Sequence, residues 1–231
     1  ILDQSDRVKL VVVDSESTNE TKEKLQLLLQ SSSLKTLLID STSNTFYWGG
    51  VALALHTLDL NYVNGPTWII ACNNDILFPQ KEIFSKLKDL DSTKYHVIAP
   101  SILSTKTGEN LNPYMAKPIN VIGKLYYLIF YLNPTTARLI YNIRKMSQKL
   151  FYSMFKKSVP KPGKIYAPQG SFVIFSNNYF LRGGYIDDNF KIYGEEISTA
   201  EIASKNNLEI HFLPELSVSH IEHSSTGTNY W

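Results

Sequence analysis

Carboxylates stand at the ends of predicted elements, where they could hold a metal ion or move a proton. Asp14 closes one apolar run, Asp75 closes another, and Glu195 and Glu196 follow a glycine just before a predicted helix. Carboxylate oxygens are preferred ligands of hard divalent cations, and a positioned Glu can act as a general base. Structural roles are the alternative, because an Asp after a strand often forms a turn and a Glu pair in the first turn complements the helix dipole.

Two histidines near the C-terminus, His220 and His223, form a His-x-x-His pair. The pair has no further close ligand in the sequence, whereas a structural zinc site needs four. A zinc site is therefore not expected, and the pair matters only together with the carboxylates.

The elements that must position these residues alternate between strands and helices. Strands are predicted at Val8–Val13, Leu34–Ile39, Thr67–Cys72 and Tyr95–Ala99, and helices at Glu20–Leu29, 51–60 and 79–87. Phe46–Gly50 is predicted to be a loop that leads into the second helix. This order predicts an α/β sheet with parallel neighbours, and such sheets bind ligands at their strand ends.

The second half of the chain is predicted to be more helical. The predicted elements are helices over Val121–Tyr131, Ala137–Phe155 and 197–205, and strands over Ser171–Phe175, Leu208–Phe212 and Val218–His223.

Composition indicates a globular chain of 231 residues, with 43% hydrophobic and 19% charged residues. Its one cysteine, Cys72, cannot form an internal disulfide, so nothing requires an oxidising compartment. No run reaches the roughly 18 apolar residues of a membrane span.

Charge is segregated although the net charge is only +2. No acidic residue lies between Glu109 and Asp187, a stretch that contains eleven of the 23 basic residues. Such a basic region favours an anionic partner, namely phosphates, nucleic acid or a lipid surface. A solvated helix face is the alternative.

Six segments, in this order, resemble motifs of the family 2 glycosyltransferases, inverting enzymes with the GT-A fold. They are Val11–Thr21, Tyr47–Gly50, Asn73–Asp75, Gly170–Phe172, Tyr193–Glu196 and Pro214–His220. The resemblance implies a Rossmann-like, mostly parallel sheet flanked by helices, with a basic helical insertion. It also implies that Val8–Val13 matches the family's second strand, so that the opening strand has no counterpart here.

The resemblance implies one domain over 1–231. Residues 1–102 would form its nucleotide-binding half, 103–165 a variable insertion, and 166–231 its acceptor and catalytic half.

The resemblance also assigns roles to individual residues. Glu196 is expected to be the catalytic base, with Glu195 as the close second, and the alternative role for one of the two is to hold the acceptor. Asp75 and His220 are expected to bind Mg²⁺ or Mn²⁺. The residues expected to bind the nucleotide and the donor sugar are Asp14, Ser15, Trp48, Gly49, Asn73, Asn74 and Gly170.

The implied activity is transfer of a sugar from a nucleotide-diphospho-sugar to a glycan or lipid-linked glycan, in bacterial cell-surface polysaccharide synthesis. A cytoplasmic protein is expected, in peripheral contact with an anionic inner membrane face through 117–164. The alternatives are a nucleotidyltransferase, although no Gly-rich phosphate loop is seen, and a non-catalytic nucleotide-sugar-binding domain. Nucleic acid is not an expected partner, because no recognisable module accompanies the basic stretch.

Overall fold

The computed structural model of the chain describes residues 8–151, 161–191 and 193–221. His223 lies outside these residues. The chain divides into two compact units, Ile1–Ala116 with Pro162–Trp231 and Lys117–Lys161.

The described part of the larger unit contains eight strands and five helices. The strands are β1 (Lys9–Ser15), β2 (Lys35–Ser41), β3 (Trp68–Cys72), β4 (Ile76–Leu77), β5 (Val97–Ser104), β6 (Gly163–Ile165), β7 (Phe172–Ser176) and β8 (Ile210–His220). The helices are α1 (Asn19–Gln30), α2 (Phe46–Leu58), α3 (Ile83–Lys88), α6 (Asn177–Leu181) and α7 (Glu195–Lys205). The α/β fold class expected from the sequence is therefore confirmed.

The strands form two sheets with mixed pairing. β1 pairs with β2 in parallel, and the second sheet has the order β3-β7-β5-β8-β4, with β6 paired to β8. β5 and β8 are parallel, but β7 is antiparallel to both of its neighbours. The expectation of parallel neighbours therefore holds for β1 and β2 but not for β3 and β5, which β7 separates. Buried apolar runs look alike in parallel and antiparallel sheets, so the sequence pattern does not reveal this partner.

Within the described residues, β1 and β3 each pair with another strand on one side only. Their apolar side chains, among them Val11, Val12, Ile69 and Ile70, are only partly buried. Both strands line one open cavity. The two sheets are thus not joined by hydrogen bonds between β1 and β3.

The hydrophobic core lies on both faces of β5 and β7. Phe175 and Tyr179 are fully buried on one face, and Ile98 and Phe172 are fully buried on the other. Burial of apolar surface contributes about 25 cal/mol per Å², so this core stabilises the central strands most strongly. This core holds β7 in position, and β7 begins at Phe172, just after Gly170.

Helix α2 begins at Phe46, so the predicted loop at Phe46–Gly50 is wrong. Two glycines disfavour a helix by about 1 kcal/mol each. Trp48 offsets this cost because it is buried in the core, and Gly50 faces β1, where an added Cβ would make an ordinary contact with Val13 at 3.7 Å.

Strand β8 is continuous where the sequence predicts two separate strands. It runs through Pro214 beside β5, and the register shifts between Pro100 and Ser101, so that Leu213 and Ser217 pair with consecutive residues. A bulge of this kind accommodates a proline within a strand. The strand then reaches His220, which pairs with Ile76 of β4.

The smaller unit contains α4 (Val121–Phe130) and α5 (Pro134–Phe151). The Asn120 side chain accepts a hydrogen bond from Gly123 N at 2.8 Å, and Asn133 accepts from Thr135 N and Thr136 N at 2.9 Å. These asparagines cap the two helices, as the position before a first turn favours. The predicted end of α5 beyond Phe151 lies outside the described residues.

Candidate active site

An imidazole and a carboxylate meet where β4 pairs with β8. The Asp75 carbonyl accepts a hydrogen bond from Ile221 N at 3.1 Å, which fixes the two strand ends together. His220 Nε2 lies 3.0 Å from Asp75 Oδ1, and both residues are buried. His220 Nδ1 is buried without a hydrogen-bond partner among the described residues.

Asp75 and His220 are hydrogen-bonded to each other, and their spacing is also compatible with a shared divalent cation. Two adjacent ligands of an octahedral site with bonds of about 2.1 Å are about 3 Å apart, close to the 3.0 Å between Asp75 Oδ1 and His220 Nε2. No group of three metal-ligating side chains occurs among the described residues. The pair could therefore hold a cation only together with oxygen ligands from elsewhere, such as phosphate or water.

A second carboxylate pair begins helix α7. Gly194, just before it, has φ +111°, a left-handed conformation that favours glycine. A Cβ on Gly194 would lie 2.5 Å from the Phe190 ring, so only glycine fits at this turn. The turn directs Glu195 and Glu196 into the cavity, which both residues line.

Gly170 lies against this pair and also accepts a hydrogen bond from Tyr47. Its N–H donates to Glu196 Oε1 at 3.3 Å, and its carbonyl accepts from the Tyr47 hydroxyl at 2.9 Å. A Cβ on Gly170 would lie 2.6 Å from Glu195 Cγ. The segment before β7 is thus packed directly against both carboxylates, and a side chain there would displace Glu195.

Burial makes these carboxyl groups stronger bases. Burial raises the pKa of Glu195, and burial together with the charge of Glu195 raises the pKa of Glu196. The pKa of Tyr47 is also raised well above its usual range, first by burial and then by nearby groups that include Glu195, Glu196 and Asp75. A carboxylate with a raised pKa is better matched to proton transfer near neutral pH.

Glu195→Gln is expected to stabilise the protein at neutral pH. A raised folded-state pKa favours the protonated form, so stability is full below the unfolded pKa and is lost as pH rises through the folded pKa. The neutral amide avoids this loss and should raise Tm at pH 7.5 measurably. At pH 4 the two proteins should melt alike in calorimetry.

A matched control for this measurement is Glu23→Gln on α1, which is exposed. It should leave Tm almost unchanged at both pH values, because surface substitutions usually have small effects. An equal gain from Glu195→Gln at pH 4 and pH 7.5 would contradict an electrostatic origin of the effect.

Asp14 lies at the carboxyl end of β1 and is buried. Its Oδ2 accepts a hydrogen bond from Ser17 N at 3.1 Å and lies 3.6 Å from Lys22 Nζ. Burial acts to raise the pKa of Asp14, but the hydrogen bond from Ser17 and the charge of Lys22 outweigh it and the pKa is lowered. Asp14 is therefore an ionised acceptor that also shapes the turn. Beside it, Ser15 Oγ lies 2.8 Å from Thr45 Oγ1.

Trp48 is a core residue at the wall of the cavity. It is 3% exposed, and its ring lies 6.2 Å from Phe175 and 5.4 Å from Tyr47. Its neighbour Gly49 is half-buried, and a Cβ there would meet only an ordinary contact with Thr45 at 3.6 Å. Nothing in the local packing therefore requires glycine at position 49.

The two asparagines before Asp75 differ in their surroundings. The backbone N–H of Asn73 donates to Ser171 O at 2.9 Å, which ties the end of β3 to the start of β7. Asn74 is exposed and leaves its amide available to a ligand.

One cavity of about 2930 Å³ brings most of the predicted site residues together. Those that line it are Asp14, Ser15, Trp48, Asn73, Asn74, Asp75, Glu195, Glu196 and His220. Gly49 and Gly170 are not among the lining residues, and Gly170 instead packs behind Glu195.

Tyr47 and Gln169 belong to the site although the sequence does not single them out. Gln169 accepts hydrogen bonds through Oε1 from Ser171 N and Oγ, and it lines the cavity. Both residues lie in or beside a motif, which is the signal that the sequence offers. Lys106 and Lys191 also line the cavity, and no sequence signal indicates them.

No known family profile matches the chain, and no curated protein matches it by sequence. Solved structures do match. A crystal structure of GalNAc-T7 with UDP, GalNAc and Mn²⁺ has a TM-score of 0.54 at 15% identity, over 92% of this chain and 37% of that one. The structure of A197 from STIV has a TM-score of 0.50 at 10% identity, over 93% of this chain and 85% of that one. The chain thus spans little more than a third of GalNAc-T7 and has the fold of GT-A glycosyltransferases.

Proposed function

We propose that this protein is a glycosyltransferase that moves a sugar from a nucleotide-diphospho-sugar to a glycan or lipid-linked glycan. The observation that carries the proposal is the cavity lined by both the Asp75–His220 pair and the Glu195–Glu196 pair. The Asp75–His220 pair suits a cation that binds the donor phosphates, and the Glu195–Glu196 pair suits a general base. The match to a GT-A structure that contains UDP, GalNAc and Mn²⁺ supports this assignment.

A divalent cation, Mg²⁺ or Mn²⁺, would bind Asp75 and His220. It would neutralise the charge that develops on the departing nucleoside diphosphate. Because the protein offers two ligands here, donor phosphates would complete the coordination, so cation and donor should bind cooperatively.

Glu196 is the proposed catalytic base of an inverting, direct displacement. It would take the proton from the acceptor hydroxyl as that oxygen attacks the sugar. The Gly170 N–H fixes one carboxylate oxygen, and the raised pKa suits the task. Glu195 is the close second, or holds the acceptor.

The donor would lie along the strand ends. Asp14 would contact the nucleotide base. The other proposed donor contacts are Ser15, Trp48, Asn73 and Asn74, whereas Gly49 and Gly170 do not line the cavity and would act through their neighbours Trp48 and Glu195.

The proposed setting is cell-surface polysaccharide synthesis in a bacterium, with the protein on the cytoplasmic side of the inner membrane. In this proposal residues 1–102 and 166–231 bind donor and acceptor, and the segment 103–165 between them selects the acceptor.

A thermal-shift panel of nucleotide diphosphates and nucleotide-sugars, with and without Mn²⁺ or Mg²⁺, tests the donor class. A ligand at about 100 times its Kd adds roughly 2.7 kcal/mol, enough to raise Tm by several degrees. We expect one nucleotide to act and its shift to disappear with EDTA. No shift from any member of the panel would contradict the proposal.

A non-catalytic nucleotide-sugar-binding domain is the second candidate. The observation that favours it is that only two metal-ligating side chains converge among the described residues. Such a domain would bind the donor but would transfer no sugar to any acceptor.

A further inference from the structure

Helix α4 presents an aliphatic face to solvent. Val121 is 81% exposed, Ile122 78%, Leu125 55%, Leu128 67% and Ile129 43%. The spacing of 121, 125 and 128 places these side chains on one side of the helix, and 122 and 129 widen that side. We call these five residues the aliphatic face.

The apolar surface continues beyond α4 within the smaller unit. Twelve of the 23 large apolar side chains that are exposed in the described part of the chain lie between Ile119 and Ile143. Exposed apolar patches of this kind mark interaction sites, because isolated monomers rarely leave them open to water. Aromatic rings of this unit also contact one another, with centroids 6.1 Å apart for Tyr126 and Phe130 and 6.3 Å apart for Tyr127 and Tyr131.

The charge of the same unit is entirely positive. Lys117–Lys161 contains nine Lys and Arg residues and no Asp or Glu, whereas the rest of the chain has 14 basic against 21 acidic residues. Lys124 lies within α4, and Arg138 and Lys145 lie on α5, all three exposed. A unit that exposes both apolar and cationic side chains is complementary to an anionic lipid bilayer, which offers acyl chains beneath negative headgroups.

We propose that the aliphatic face of α4 docks into the interface of an anionic membrane, with the exposed Lys124, Arg138 and Lys145 of the same unit on the lipid headgroups. No helix in the described part of the chain is long and apolar enough to cross a bilayer. In this proposal α4 therefore lies in the membrane interface. The inference goes beyond the proposed function because it assigns the membrane contact expected of 117–164 to one face of α4 and is measured without donor or acceptor.

Co-sedimentation of the whole chain with lipid vesicles tests the proposal. We expect binding to vesicles of phosphatidylglycerol and phosphatidylcholine and much weaker binding to phosphatidylcholine alone. Each basic residue near the surface contributes about fivefold in affinity, so rising salt should weaken binding steeply. Absence of binding to the anionic vesicles at low salt would overturn the proposal.

The double variant Leu125→Asn/Leu128→Asn tests insertion of the aliphatic face separately from charge attraction. It should weaken vesicle binding about tenfold or more, since two side chains no longer gain from leaving water. The matched control is Leu27→Asn/Leu28→Asn on α1, whose side chains are 66% and 67% exposed, and it should bind as the unaltered chain does. Equal binding by all three proteins would overturn insertion of α4.

Two further measurements distinguish a lipid surface from a second copy of the chain, and membrane binding from donor binding. A second copy on the aliphatic face would give a concentration-dependent dimer in light scattering, lost in the Asn variant, with no vesicle binding; that result would overturn the lipid assignment. The thermal shift with nucleotides should be the same in the Asn variant and the unaltered chain. Failure of membrane binding and failure of donor binding are therefore distinguishable.

Discussion

Glu196→Gln is expected to lower the rate of sugar transfer by about 10²–10⁴-fold, the usual contribution of a positioned base. The amide cannot take the proton of the acceptor hydroxyl. It does keep an oxygen to accept the hydrogen bond from Gly170 N, so the start of α7 should be preserved. Donor binding, measured by thermal shift, should therefore be retained while turnover is lost.

The matched control is Glu195→Gln, which alters the adjacent carboxylate at the same helix start. Loss of a residue that holds the acceptor should raise KM more than it lowers kcat, whereas loss of the base should lower kcat. Full activity in Glu196→Gln with lost activity in Glu195→Gln would reverse the two roles. Activity in both variants would exclude this carboxylate pair as the base.

The identity of the elements follows from the sequence wherever apolar runs are long. β1, β2 and β3 lie close to their predicted positions, and α7 ends at Lys205 as predicted, whereas β5 begins and ends later than the predicted strand at Tyr95–Ala99. The pairing partners of the strands and the ends of the elements do not follow from the sequence, because they depend on contacts between residues that are far apart in the chain. β7 inserts between β3 and β5, and the burial of Trp48 extends α2 through a Gly-Gly pair.

Most of the residues named from the sequence meet in one cavity, because strand ends gather at an edge of a sheet. Asp75 and His220 are 145 positions apart and yet within hydrogen-bond distance, a meeting that only the resemblance indicated. The contribution of Gly170 could not be inferred from a glycine alone. It depends on three contacts, to Tyr47, Glu195 and Glu196, that the fold creates.

Asp75→Asn is expected to remove the dependence of nucleotide binding on Mg²⁺ or Mn²⁺ and to lower transfer by about 10²–10³-fold, the size of one lost electrostatic group. Asparagine has the shape of aspartate and can still hydrogen-bond His220, but it lacks the charge that attracts a hard cation. Tm without ligand should therefore change little, while the metal-dependent part of the nucleotide shift should vanish.

The control for charge alone is Asp89→Asn, an exposed carboxylate just after α3, which should leave the metal-dependent shift intact. His220→Asn should also weaken the metal-dependent part of the nucleotide shift. The double variant should lose little more of that shift than either single variant, because residues that share one cation act as a unit. A metal-dependent shift that survives in Asp75→Asn would mean that the cation is bound through the donor phosphates by other groups. Additive losses in the double variant would mean that Asp75 and His220 do not share an ion, and that their 3.0 Å contact serves only to join β4 to β8.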